Sequence, residues 1–412
     1  MRDFRPPLLM RSVERAVRPF AARRPLDAAR LKRRAQAKTG LTDFGDTAPL
    51  DEPLEILCES INTETDLSAI GRIAVGTQFV NTMSTRLRLV DLIARRPELF
   101  TRPVTAPLFV AGMPRSGTTF LQRLMSRDKA WYTLPFWELV NPIPAGPGPR
   151  GGEPDPRIKA GERLLRTARR LAPNVHDIHP TENEEPEEEL QIMAAGHAAA
   201  SLGSGHYPAY TRWYLSADHT GAYRQLRQFL QAMQGGRTPG GRWLLKCPSH
   251  LEMLRPLLAV FDDANVVLTH RDPIASITSL AALDIFAYGP MLRRPDPNWF
   301  GALAVDFIER ALRSMVDYRD SAEGVAQADR FVDVAFADLT GDPMGTVARI
   351  SAAAGREPDA AAVTAMREYA GRTDQHRSRQ KFTLADFGLE KTALRERFKF
   401  YYDRFDVPAE GD

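Results

Sequence analysis

Cysteine is almost absent: 412 residues hold two, Cys58 and Cys247, far apart and at no zinc-ligand spacing. A disulfide framework is thereby excluded, and both read as reduced thiols in a reducing compartment. Also missing is any uninterrupted run of about 18 apolar residues, so no membrane-spanning helix is expected. The first residues lack the short apolar core and small-residue cleavage site of a secretory signal, and the expected location is the cytoplasm. Excess charge of one sign is scarce as well. A net charge of +3 is too small to mark a nucleic-acid binder, while 43% hydrophobic content suffices for a large core. No internal repeat and no extended low-complexity segment is visible.

What charge there is concentrates early. Residues 1–38 are rich in arginine, with apolar residues at roughly helical intervals. A basic amphipathic helix of this kind suits peripheral contact with anionic lipid. Pro6, Pro7, Pro19 and Pro25 interrupt the pattern and favour a helix packed on its own domain. Residues 51–100 read as mostly helical, so 1–103 form an N-terminal helical extension before a 104–412 α/β domain. Four segments read as buried parallel strands: 108–112, 243–247, 265–271 and 331–336. Strands alternating with helices predict a P-loop-like parallel sheet flanked by helices, with ligands at its carboxyl edge. Between the first two strands lies a long insert, 141–240, containing the Pro/Gly-rich "NPIPAGPGPRGGEPDP" and an acidic loop. Oligomeric state is not legible.

The first strand runs into "PLFVAGMPRSGTTFLQRLM", residues 107–125. Gly112, Gly117 and Thr119 have the spacing of a nucleotide-binding P-loop, but Thr118 stands where its lysine belongs. A strand, a glycine-bearing turn and a helix start aim backbone N–H groups at one place, an anion site formed by residues 113–119. The cation has moved ahead of the second glycine, as Arg115, and the other strands end without an obvious metal-binding aspartate. Both features point to a phosphate or sulfate ester whose charge is met by protein cations rather than by magnesium. No metal is expected: His176 and His179 beside many glutamates have no recurring ligand spacing, and such charge runs are usually solvated.

"PRSGTTFLQRLM" resembles the 5′-phosphosulfate loop of the sulfotransferases, P-[KR]-[ST]-G-[TS]-[TS]. "LTHRDPIASITSL" resembles that family's 3′-phosphate motif, an arginine after a strand and a serine eight positions on, here Arg271 and Ser279. "FWELVNPIP", "LLKCPSHL" and the "DFGL" at 386–389 are similar to further blocks of the bacterial branch. The Arg-Lys-Gly donor loop of the cytosolic branch is absent as such. The resemblance implies a sulfotransferase that uses 3′-phosphoadenosine 5′-phosphosulfate (PAPS), held by Pro114, Arg115, Ser116, Gly117, Thr118, Thr119, Arg271 and Ser279. Arg377, Arg379 and Lys381, in "QHRSRQKFTLADFGL", read as a loop closing over the 3′-phosphate side, or as a solvated basic loop.

Sulfuryl transfer needs an acceptor proton removed and the sulfuryl oxygens stabilised. Glu138 is the first expectation for the base, because branches acting on tyrosine and glycans use a glutamate soon after the loop helix. Histidine is the alternative: His176 or His179 in "NVHDIHPTENEEPEEEL", or His250 in "KCPSHL". Arg115 and Lys246 are expected to stabilise the sulfuryl group and the bridging oxygen. The 174–190 loop is expected to face the acceptor, a small molecule, lipid or glycan. Tyr207, Tyr210, Trp213 and Tyr214 read either as its apolar pocket or as ordinary core. Two other functions compete: a P-loop kinase or triphosphatase, disfavoured by Thr118, and a sulfonucleotide-binding protein without turnover, disfavoured if Glu138 and Lys246 both point at the loop.

Overall fold

Residues 8–21, 25–46, 48–143, 154–194, 207–237, 239–372 and 382–410 are described by a computed structural model. Five strands form one sheet: β1 (Leu108–Gly112), β2 (Trp131–Tyr132), β3 (Arg242–Lys246), β4 (Asn265–His270) and β5 (Phe331–Ala335). They lie in the order β2-β3-β1-β4-β5, every neighbouring pair parallel. β1 is central, so the carboxyl ends of β3, β1 and β4 open at one edge, around the loop that follows β1. Four strands lie where the sequence places them. β2, with two residues, is too short to show a period.

Alternation decides which side chain goes where. Every residue of β1 is buried, as in a strand covered on both faces. Successive side chains point to opposite faces, so Phe109 and Ala111 join one hydrophobic cluster while Leu108 and Val110 join the other. Helices Thr118–Met125, Pro343–Ala353 and Ala360–Arg372 close the smaller cluster through Leu121, Leu124, Val347, Ile350 and Met366. The larger cluster takes Phe229 and Ile308, from helices Thr220–Gln234 and Pro297–Asp320, together with Leu31, Leu57 and Phe79. Helices Ala28–Thr39, Ala48–Glu64 and Ala69–Arg95 therefore share the sheet's own core.

Helix Ala28–Thr39 begins at Asp27, whose carboxylate accepts from Arg30 N at 2.6 Å, and stops at Gly40, φ 73°. The basic helix Leu8–Ala21 packs on helix Ala69–Arg95. Its Glu14 accepts from the N–H groups of Ala69 and Ile70 at 3.1 and 2.9 Å, satisfying two orphan donors of that helix start.

Residues Pro273–Met291, mean hydropathy 1.3, are long and apolar enough to cross a membrane. Ser276, Thr278, Ser279 and Asp284 interrupt the apolar run. In the fold, helix Pro273–Tyr288 packs on helix Pro297–Asp320 and buries Ile277, Ala281, Ala282 and Ile285. Cys58 and Cys247 are buried free thiols, and burial, with Asp27 and Glu55, pushes Cys58 up to about 12.

Candidate active site

The loop after β1 is built on close approach. A Cβ at Gly112 would lie 2.0 Å from Thr269 Oγ1 and 2.7 Å from Ser116 Oγ, so only glycine fits. That space lets Ser116 Oγ bond Thr269 Oγ1 and Met113 O, each at 2.6 Å, tying the loop to β4. The chain then turns through Arg115 at φ 71° and Gly117 at φ 90°. Glycine takes this conformation freely, whereas a residue with a Cβ pays about 1–3 kcal/mol for it. Arg115 adopts it nonetheless, which puts a cation on the turn itself. Helix Thr118–Met125 follows, and Pro114, Arg115, Gly117, Thr118 and Thr119 line a cavity of about 1040 Å³. Ser116, expected with them, is fully buried and pins the loop instead.

Arg271 leaves β4 beside this loop. Its guanidinium stacks over Phe336 at 4.0 Å and donates from Nη1 to the Arg115 carbonyl at 2.7 Å. Its Nε and Nη2 donate to the two carboxylate oxygens of Glu410 at 2.7 and 2.8 Å. Ser279, two turns into helix Pro273–Tyr288, lines the same cavity. Burial lowers the Arg115 pKa, and the neighbouring Arg271 charge lowers it further. Two cations on one poorly solvated wall favour an anion between them.

The acidic loop closes a second side. Ile178, His179, Pro180 and Glu188 line the cavity. His179 Nε2 lies 3.3 Å from Glu187 Oε2, and Glu187 Oε1 accepts from Arg123 Nη2 at 2.9 Å. Burial by itself would raise the Glu187 carboxyl. The hydrogen bond and charge of His179, with Lys246 and Arg123 nearby, outweigh it and hold the carboxyl low. Lys246 is fully buried, its Nζ 2.7 Å from Glu188 Oε1. Burial would lower this ammonium, but Glu188 and Glu187 prevail and raise it.

Two expected bases are displaced. Glu138, on the short helix Phe136–Val140, is buried and takes Arg237 Nη2 at 2.5 Å, with that guanidinium over Trp243 at 4.7 Å. It does not line the cavity; beyond β2, the helix carries it into an ion pair behind the sheet edge. His250 is fully buried, its Nε2 2.6 Å from Glu189 Oε1 and its Nδ1 2.8 Å from Tyr223 OH, so both nitrogens are committed inside the core. Arg377, Arg379 and Lys381 lie outside the described residues. Phe387 of "DFGL" is fully buried, and Gly301 of helix Pro297–Asp320 makes room for its backbone, which marks that motif as packing.

Sequence reasoning missed Arg123, Glu187 and Glu188. The signal for Arg123 is its place in the loop helix; the two glutamates sit in a charge run that reads as solvated. Tyr210 and Tyr214 of helix Pro208–Ser216 line the cavity from one helix face, with Tyr207 at its N-cap and with Leu280, Leu283 and Phe307. Trp213 faces elsewhere and stacks on Tyr210 at 5.4 Å. Among the described residues, no group of three or more His, Cys, Asp or Glu is arranged to hold a metal ion.

An open parallel sheet, an anion loop at its central strand and paired arginines on one cavity define a class of proteins that handle phosphate or sulfate esters. Within that class, residues 107–360 match the model of the sulfotransferase family, more than half of the chain, and the protein belongs to this family. The crystal structure of the sulfotransferase STF9 from Mycobacterium avium is similar over 93% of this chain and 98% of that one, with 29% identity and a TM-score of 0.82. For the sulfotransferase STF1 from Mycobacterium tuberculosis H37Rv the coverages are 91% and 98%, the identity 28% and the TM-score 0.75. Among curated proteins, no relative matches. The chain is a sulfotransferase enzyme.

Proposed function

We propose that this sulfotransferase takes its sulfuryl group from PAPS and transfers it to a hydroxyl or amine on an apolar acceptor. One observation carries the donor half: Arg115 and Arg271, joined at 2.7 Å, face a single cavity beside the strand-loop-helix turn. The residues fit the group. Arg115 and the 117–119 backbone would hold the 5′-phosphosulfate, and Arg271 with Ser279 the 3′-phosphate. Phe120 and Tyr369, both on the cavity with ring centres 6.1 Å apart, offer aromatic faces to a purine. When bound, the donor supplies an activated sulfuryl group on a phosphate leaving group.

His179 is the base in this reading. With Nε2–H directed at the Glu187 carboxylate, Nδ1 is left to accept the acceptor proton, and Glu187 stabilises the resulting imidazolium. Lys246 does not line the cavity; paired with Glu188, it holds that cavity-lining carboxylate in place. Tyr207, Tyr210, Leu283 and Phe307 favour a lipid-like or aromatic skeleton over a glycan. Arg310 on that side is already neutralised by Glu252 at 2.5 Å, and Asp284 has a partner of its own.

Calorimetry with adenosine 3′,5′-bisphosphate, with and without chelator, tests the donor. Binding at a Kd on the order of micromolar, unchanged by chelator, is expected. A strict magnesium requirement, or tighter binding of adenosine triphosphate, would refute it. A screen of lipids, phenols, sterols and glycans with labelled PAPS tests the acceptor.

A further inference from the structure

We infer that Glu410 is an internal competitor for the 3′-phosphate position, its carboxylate occupying the Arg271 fork until the donor displaces it. The inference rests on the donor reading above. Two parallel bonds, 2.7 Å from Nε and 2.8 Å from Nη2, reproduce the fork geometry with which arginine grips a phosphate. Nη1 is committed to the Arg115 carbonyl, so the edge held by Glu410 is the principal one open to a bidentate anion. A dianionic phosphate arriving there would meet a carboxylate already in place, and the two repel.

The carboxylate is delivered by a fixed backbone. Glu410 N donates to Asp272 Oδ2 at 2.7 Å, and Arg395 Nη2 donates to Glu410 O at 3.2 Å. Asp272 is itself held by Ile274 N at 2.9 Å and Tyr402 OH at 2.6 Å. Val407 is buried and anchors the 407–410 segment, whereas the Glu410 side chain keeps 39% of its surface exposed. A rotation of that side chain alone takes the carboxylate into solvent. Arg271 is thus kept oriented and neutralised in the empty enzyme, and Glu410 returns to the fork as the spent bisphosphate leaves.

The test compares wild type with Glu410→Gln, titrating adenosine 3′,5′-bisphosphate and adenosine 5′-phosphate by calorimetry. A half-exposed pair is screened, so the variant should bind the bisphosphate only about three- to tenfold tighter, with 5′-phosphate binding unchanged. Glu410→Ala supplies a second variant: it removes the carboxylate outright while sparing the backbone bonds to Asp272 and Arg395, and it too should tighten bisphosphate binding and leave 5′-phosphate binding unchanged. Weaker bisphosphate binding by the variant would make Glu410 a positioning residue for Arg271, and an equal change with both ligands a structural one; either overturns the inference and leaves the donor reading intact. A wild-type enzyme that does not distinguish the two nucleotides would overturn both.

Discussion

Arg271 carries three loads at once: a ring stacked beneath it, a carbonyl at Nη1 and a carboxylate at Nε and Nη2. Arg271→Ala should weaken adenosine 3′,5′-bisphosphate binding about ten- to hundredfold, equivalent to about 1.5–3 kcal/mol for a charged hydrogen bond, and leave a ligand without the 3′-phosphate unaffected. Calorimetry with both ligands checks this. For the base, His179→Gln should slow single-turnover transfer by about 10² to 10⁴ with donor affinity nearly unchanged. Glu138→Gln should instead spare the chemistry and cost about 1–3 kcal/mol of stability, because it strips Arg237 of its buried partner. A glutamine variant at 138 that stops transfer while the 179 variant runs at the wild-type rate would return the role to the glutamate.

Among the elements, β1 and the loop it feeds show how tightly position is set. Gly112→Ala places a methyl 2.0 Å from Thr269 Oγ1, so the loop must leave β4. A stability loss of about 1–3 kcal/mol and a severe loss of donor binding are expected from denaturant curves and titration. At the other side of β4, His270 Nε2 and Arg319 bind Asp333 on β5 at 2.9 and 3.1 Å. Burial would raise this carboxyl, but those partners bring it from 3.8 to about 2. Because the folded pKa lies below the unfolded one, the stabilisation is full above about pH 4 and is lost as pH falls through 3.8 toward 2. With 41% of the side chain exposed, screening limits it to about 1 kcal/mol. Asp333→Asn should therefore cost about 1 kcal/mol at neutral pH and converge on wild type as pH falls toward 2, which flattens the acid limb in denaturant curves taken across that range.

At the scale of the whole molecule, the N-terminal helices and the sheet share one hydrophobic cluster, so ligand binding at the sheet edge should stabilise the fold as a unit. Adenosine 3′,5′-bisphosphate at 100 times its Kd should add about 2.7 kcal/mol to the unfolding free energy, seen as a single shifted transition. A shift confined to one of two transitions would show that the N-terminal helices unfold apart from the sheet. The same shift in Arg271→Ala, at equal nucleotide concentration, should be smaller.

Much of this design is local and therefore legible in the chain itself. Four strands, the loop glycines and the displaced Arg115 follow from short-range pattern, because a buried strand is a continuous apolar run and a tight turn demands glycine at fixed offsets, whereas the Arg271–Ser279 pair rests on family resemblance. Proximity between distant segments is another matter. Glu138 follows a motif yet lies behind the sheet edge with Arg237, and His250 stands next to Pro248 and Ser249 at the cavity while its ring turns into the core. Glu187 and Glu188 look like a solvated run until the insert folds back and sets them on His179, Arg123 and Lys246. The sequence by itself determined the anion loop and the parallel sheet; only the tertiary structure decided which acid, which histidine and which distant carboxylate meet it, since long-range contacts leave no period in the chain.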